Sequence, residues 1–190
     1  MRSLILNIYK IFLFPHVIIY KGSKNKDLID KDIERWASAK GMNGSKVSLL
    51  LNFLANSPDF RTLFYFRNRG IVSSLLNLYC KKEKYFRIDI STKLGGGVLT
   101  GHPYSTILNA DEIGENLYVN HLVTVGEVDG KRPTIGNNVS IYTGAIIIGD
   151  IKIGNNCSIG AGSVVVKDVP DNCVVVGNPA RIVKQDGKKV

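Results

Sequence analysis

From Ile135 onward an aliphatic residue returns at every sixth position: Ile135, Ile141, Ile147, Ile153, Ile159 and Val165. Four places after each start stands a small or branched residue: Val139, Ala145, Ile151, Cys157 and Ser163. Ile107, Ile113, Val119 and Val125 keep the same period earlier in the chain. A helix repeats every 3.6 residues and a strand every two, so neither produces this rhythm. A parallel β-helix of hexapeptide turns does. Three such edges make a coil of about eighteen residues with a triangular cross-section. The repeated aliphatic side chain points inward and stacks on its copy one coil away. The small residue closes each corner. Gly and Asn in IGNNVS, IGNNCS and IGAGSV supply the turns. The repeat speaks more directly to fold than to activity, because a prism buries its stacks whatever it does.

Before residue 86 the pattern is helical. DLIDKDIERWASAK places Ile29, Ile33 and Trp36 at helical spacing, and Gly41 and Gly44 interrupt it. SKVSLLLNFLANS predicts a second helix capped by Ser45. Ser57-Pro58-Asp59 opens a third through FRTLFYFRNRG, and GIVSSLLNLYCKK makes a fourth that ends in lysines. The expected organisation is a helical subdomain over 1–85, a β-helix over 86–184 and a frayed polar tail over 185–190.

Charge divides the same way. Of the net +9, residues 1–90 hold 16 Lys or Arg against 7 Asp or Glu, and residues 91–190 hold 9 against 9. A basic face on the first half suits plain solvation, an anionic substrate or anionic lipid. No nucleic-acid-binding module is present in the pattern. The opening MRSLILNIYKIFLFPHVIIY is apolar but broken by Lys10, Pro15 and His16. A membrane span needs about 20 apolar residues without such breaks, and no small-residue cleavage site follows. It reads as a buried or interfacial helix, with peripheral membrane contact left open. Cys80, Cys157 and Cys173 form no metal-ligand spacing and no disulfide framework. That favours a reducing, cytoplasmic setting, with the inner face of the membrane as a further option.

The period fails in two places. Val125 to Ile135 spans ten residues where six are due, so four residues of GEVDGKRPTI leave the prism as a loop. Asp129-Gly130 favours a turn there, and the tip is expected to present Lys131 and Arg132 outward. Insertions in solenoids gather on the binding face. The second lapse is GHPYSTILNA, which removes His102 from the stacked core positions. His121 follows nineteen residues later, close to one coil, so both histidines fall near one edge. Two histidines are too few for a three-histidine metal site. A general base needs one imidazole and a partner to orient it, and Asp89 in FRIDIST, thirteen residues upstream, is a candidate to supply that orientation from the coil below.

GHPYSTILNADEIGENLYVNHLVTVG, followed by RPTIGNNVSIYTGAIIIGDIKIGNNCSIGAGSVVVKDVPDNCVVVGNPARIV, resembles the serine acetyltransferase-like branch of the left-handed β-helix, hexapeptide-repeat acyltransferases. The likeness covers roughly residues 86–184, and SPDFRTLFYFR is similar more loosely. It implies acetyl-coenzyme A as co-substrate, no metal, and homotrimers with active sites between neighbouring prisms, which some members pair into hexamers. It makes His102 the general base and Asp89 its carboxylate partner, at a spacing two residues shorter than usual. Gly101 stands where serine acetyltransferases carry aspartate, and Lys131-Arg132 where they carry Arg-His. Those positions meet the amino-acid acceptor, as His121 would from the next coil. Coenzyme A is expected along the later coils near Gly144, Ala145, Ala161 and Gly162, with Lys167 and Arg181 at its phosphates.

An imidazole, whose ordinary titration range lies near neutrality, suits a base that takes the acceptor proton as the hydroxyl attacks the thioester. The expected activity is O-acetyl transfer to a sugar hydroxyl in surface polysaccharide assembly, or to serine. The alternatives are serine O-acetylation in cysteine biosynthesis, a catalytically silent trimeric scaffold and, more distantly, a metal-dependent lyase of the same prism shape. Cys157 and Cys173 read as packing residues.

Overall fold

The computed structural model describes residues 12–190. The reading of MRSLILNIYKI lies outside them. The chain divides into two compact units at 84/85, one residue before the expected boundary.

The first unit contains α1 (Phe14–Gly22), α2 (Lys26–Ala39), α3 (Lys46–Asn56), α4 (Pro58–Arg67) and α5 (Ile71–Tyr79). Ser45 caps α3 by accepting from the Ser48 amide at 3.2 Å. Trp36, Phe53 and Phe60 meet with ring centroids 5.2–5.7 Å apart and form the core. Helix α4 is buried almost all round, so its arginines need internal partners. Arg67 pairs with Asp32, Nε to Oδ2 at 3.1 Å, both side chains buried. Arg61 donates to the Leu54 and Ala55 carbonyls, satisfying acceptors that the end of α3 leaves open. His16 is a core residue. Its Nε2 meets the Tyr65 hydroxyl at 2.8 Å, and burial pushes its pKa down to about 4.

The second unit is the left-handed parallel β-helix. Sheet A stacks β1 (Phe86–Ile88), β4 (Thr106–Leu108), β7 (Thr124–Gly126), β10 (Ile146–Ile148) and β13 (Val164–Val165). Sheet B stacks β2 (Lys93–Leu94), β5 (Glu112–Ile113), β8 (Thr134–Ile135) and β11 (Lys152–Ile153). Sheet C stacks β3 (Leu99–Gly101), β6 (Tyr118–Asn120), β9 (Ser140–Ile141), β12 (Ser158–Ile159) and β14 (Cys173–Gly177). Pairing between successive coils is parallel throughout. Ile135 lies beside Ile153, 18 residues on, whereas Ile113 lies beside Ile135, 22 residues on. The difference of four is the loop that the broken period demanded. The six aliphatic positions from Ile135 to Val165 and the corner residues between them are all buried.

Ile107 departs from the expected row and is 43% exposed. Leu108 instead faces the core and pairs with Val125. Thr100 pairs with Val119, so the path from 100 to 108 is two residues longer than the path from 119 to 125. That surplus lies in the corner His102–Ser105 and shifts the following register.

One edge is held by an amide ladder. Asn116, Asn138, Asn156 and Asn172 each donate Nδ2 to Oδ1 of the next, at 2.9–3.0 Å, and Asn172 ends on Asp186. All five have positive φ, which short polar side chains tolerate. The tail is ordered, contrary to expectation. β15 (Ala180–Gln185) returns antiparallel on β14, and β16 (Lys188–Lys189) pairs back on β15 through Asp186-Gly187, both at positive φ. An Asp-Gly pair is a strong hairpin signal.

Candidate functional site

Each coil has three corners, and the singled-out residues, apart from Arg181 in β15, occupy two of them. The corner from sheet C to sheet A holds His102 in the first coil. Gly101 pairs with Asn120, which puts His121 one coil from His102, as the nineteen-residue spacing implies. Thr143-Gly144 and Ala161-Gly162 continue the same edge. Gly144 donates its amide to the His121 carbonyl at 3.1 Å, and Gly162 donates to Thr143 at 2.8 Å. Those two amides are therefore spent on the prism and do not point at a ligand. Both glycines have positive φ and carry no side chain, so the edge of the later coils is bare. Ala161 is exposed beside them, while the Ala145 side chain is buried in the core.

His102 itself is exposed, with φ of 53°, a conformation uncommon outside glycine. The extra two residues of the corner lift it off the stack. The outward face of sheet C continues beside it. A Cβ added at Gly101 would lie 2.6 Å from the Tyr118 hydroxyl and closer still to Asn120 Oδ1. The space an aspartate side chain would enter is thus filled by a phenol and an amide. The Tyr118 ring meets Tyr142 at 6.0 Å, making a short aromatic step along this face. Periodicity assigned Tyr118, Asn120 and Tyr142 no role, because outward positions of a β-helix carry no repeat constraint.

The corner from sheet A to sheet B holds Asp89, Asp111, the inserted loop and Asp150. Val128 and Lys131 close a two-residue hairpin, exchanging backbone hydrogen bonds of 3.0 Å across Asp129 and Gly130, both at positive φ. Lys131 projects, 67% exposed, and pairs with Asp150 at 3.0 Å. Arg132 does not project, contrary to the sequence reading. It is 22% exposed and folds back, with Nη2 2.7 Å from Asp111 Oδ1 and Nη1 3.7 Å from Asp89 Oδ1. Nη1 also donates to the Ser91 hydroxyl. Ser91 in turn donates its amide, at 2.9 Å, and its hydroxyl to Asp89 Oδ1. Stacked acids on consecutive coils draw the guanidinium in.

Asp89 and His102 consequently occupy different edges of one prism. The spacing of thirteen residues covers about two edges of a coil, not a full turn. The carboxylate of Asp89 faces Ser91 and Arg132 rather than the imidazole of its own chain.

Lys167 and Arg181 are brought together. They line one hollow at the last coil with Val166, Asp168, Pro179 and Ile182. Two cations in a partly apolar hollow fit phosphates attached to an organic chain. Cys157 and Cys173 are buried, and burial pushes both thiols up, away from the thiolate a nucleophile requires. Among the described residues no group of three or more His, Cys, Asp or Glu is placed to hold a metal ion.

Residues 132–167 match the family described as bacterial transferase hexapeptide (six repeats). The fold is a left-handed parallel β-helix of hexapeptide repeats. Serine acetyltransferase of Staphylococcus epidermidis is 35% identical over 133 residues, 66% of this chain and 62% of that protein. Serine acetyltransferase 1, chloroplastic, of Arabidopsis thaliana is 38% identical over 124 residues, 62% of this chain and 39% of the relative. The chain thus spans less than two thirds of the length of these relatives. Among solved structures, serine acetyltransferase from Brucella abortus superposes with a TM-score of 0.69 at 25% identity, covering 85% of this chain and 69% of that one. Neisseria gonorrhoeae serine acetyltransferase in complex with serine gives 0.65 at 27% identity, covering 87% and 73%.

Proposed function

We propose that this hexapeptide-repeat protein is an acetyl-coenzyme A-dependent O-acetyltransferase whose acceptor is a saccharide hydroxyl. Its likeness to serine acetyltransferases supports the donor and the reaction class. One observation carries the acceptor: beside exposed His102, Gly101 is roofed by Tyr118 and Asn120 instead of presenting a carboxylate. A free amino acid brings an ammonium that needs a counter-charge. A sugar ring brings hydroxyls and C–H faces, which an amide and a tyrosine step accept.

His102 takes the proton from the acceptor hydroxyl as its oxygen attacks the thioester carbon. The tetrahedral intermediate collapses with cleavage of the carbon–sulfur bond. The imidazolium returns its proton to the departing coenzyme A thiolate, leaving an acetate ester and free thiol. Lys167 and Arg181 hold the phosphates of the donor, and the bare edge at Gly144, Ala161 and Gly162 admits its chain.

The site is completed by a second copy. Asp89 cannot orient His102 of its own prism, whereas the sheet A-to-B edge of a neighbour in a trimer brings Asp89, fixed by Ser91 and Arg132, to that imidazole. Lys131 at the hairpin tip and His121 then flank the acceptor.

Serine is the second reading, favoured by the named relatives. Release of coenzyme A thiol, measured with serine, nucleotide sugars and oligosaccharides as acceptors, separates the two. Turnover with a saccharide but not serine is expected, and turnover with serine alone overturns the saccharide reading. The His102→Ala variant should lose about 10²- to 10⁴-fold in turnover on every acceptor.

A further inference from the structure

Helix α5 is amphipathic in reverse. Its sequence, IVSSLLNLY, turns Ser73 and Leu76 inward and leaves Ile71 81% and Leu78 71% exposed, with Val72 and Leu75 between them. Helix α1 behaves likewise, burying His16, Val17 and Tyr20 and leaving Phe14 and Ile18 outside. The two helices are neighbours at both ends. Tyr79 donates its hydroxyl to the Phe12 carbonyl at 2.9 Å and sets its ring edge-on to His16. At the other end Ile19, Ile71 and Val72 line a single cleft. Apolar groups from both helices therefore make one strip, larger than a scatter of single exposed residues.

Exposed cations stand at both ends of the strip. Lys24 and Arg69 border the cleft, with Lys21 in the last turn of α1. Lys81 and Lys82 follow directly on Tyr79. The whole imbalance of charge belongs to this unit. Residues 1–84 carry 15 Lys or Arg against 6 Asp or Glu, a net of +9, while residues 85–190 carry 10 against 10. A second copy seated on the strip would set +9 against +9. An anionic surface is complementary to both the apolar strip and its basic rim. Among the described residues no helix is long and apolar enough to cross a membrane.

We propose that the α1–α5 strip docks on an anionic bilayer surface, lying in the headgroup region without crossing it. Phe14, Ile18, Leu75 and Leu78 enter the acyl boundary, and the lysines meet lipid phosphates. This rests on the first unit alone and does not depend on the acetyl-transfer reading.

Sedimentation of the full chain with phosphatidylcholine vesicles, plain or doped with phosphatidylglycerol, tests it without any activity readout. Binding to the doped vesicles only, weakened by high salt, is the expected result. Leu75→Glu with Leu78→Glu should lower that binding ~10-fold or more, with the thermal midpoint and elution volume unchanged. Lys81→Glu with Lys82→Glu should lower it while leaving the apolar strip intact. Equal binding to both vesicle types, or none, overturns the proposal. So does a Leu75/Leu78 variant that elutes at a smaller assembly size, which makes the strip a contact between copies. A lowered midpoint in that variant overturns it as well, because the strip would then be packed within the chain.

Discussion

The edge bearing His102 and the edge bearing Asp89 run along one prism but are held in different ways. On the first, backbone conformation does the work: His102 and Leu122 adopt positive φ, as do Gly144 and Gly162. On the second, side chains do it: Arg132 binds Asp89, Ser91 and Asp111 across successive coils, and Lys131 reaches Asp150. An exposed imidazole on an open edge is available to substrate but undirected. A carboxylate within a tied network is directed but remote from that imidazole. Each edge has what the other lacks, which is why the proposed site pairs the edges of two copies.

The largest effect that tests this contrast is at His102. His102→Ala should reduce acetyl transfer about 10²- to 10⁴-fold, measured as thiol release, without moving the thermal midpoint. A midpoint that falls would make His102 a structural residue and break the contrast. Arg132→Ala comes next. Freed of its guanidinium, Asp89 loses its fixed orientation, so turnover should fall about tenfold, and stability by about 1 kcal/mol in denaturant unfolding. Full activity in that variant would detach the second edge from the reaction.

Gly101→Asp probes the open edge from the acceptor side. Its Cβ must displace the tips of Tyr118 and Asn120. The expected outcome is a saccharide kcat/KM lowered by roughly tenfold, with any gain appearing on serine. Unchanged saccharide turnover would remove Tyr118 and Asn120 from acceptor recognition. The smallest effect belongs to Lys131→Ala. An exposed pair such as Lys131–Asp150 contributes at most about 1 kcal/mol, so the midpoint should barely move, while any loss in turnover reports acceptor contact alone.

Much of the prism was legible in the chain itself. Every aliphatic position from Ile135 to Val165 is buried because a solenoid repeats one environment, so a residue's place in the period determines its face. The four-residue excess before Ile135 likewise appears as a hairpin of the expected place and length. Legibility ended where the period did. Counting six residues back from Ile113 reaches Ile107, whereas the inward residue is Leu108, five residues back, because the turn between β4 and β5 is one residue shorter than the repeat. Arg132 was assigned outward because a loop tip is ordinarily solvated. The acids that draw it in, Asp111 and Asp89, lie one and two coils away and join it only in three dimensions. Asp89 is expected from the sequence to reach His102 from the coil below, but thirteen residues in a coil of about eighteen lead to a different corner. The tail was read as frayed although Asp186-Gly187 carried its own hairpin signal.

The apolar strip on α1 and α5 was hidden for another reason. Helical spacing in IVSSLLNLY identifies a helix but not which face packs inward, and here Ser73 does.

The pairing of the two edges is tested most directly by mixing inactive variants. His102→Ala and Asp89→Ala chains are each purified, unfolded and refolded together, and thiol release is measured with acetyl-coenzyme A and a saccharide acceptor. In a mixed assembly some contacts unite an intact His102 from one chain with an intact Asp89 from the other. The account predicts activity in the mixture that neither variant has alone. Co-refolded chains that form mixed assemblies yet stay as inactive as the separate variants would contradict it.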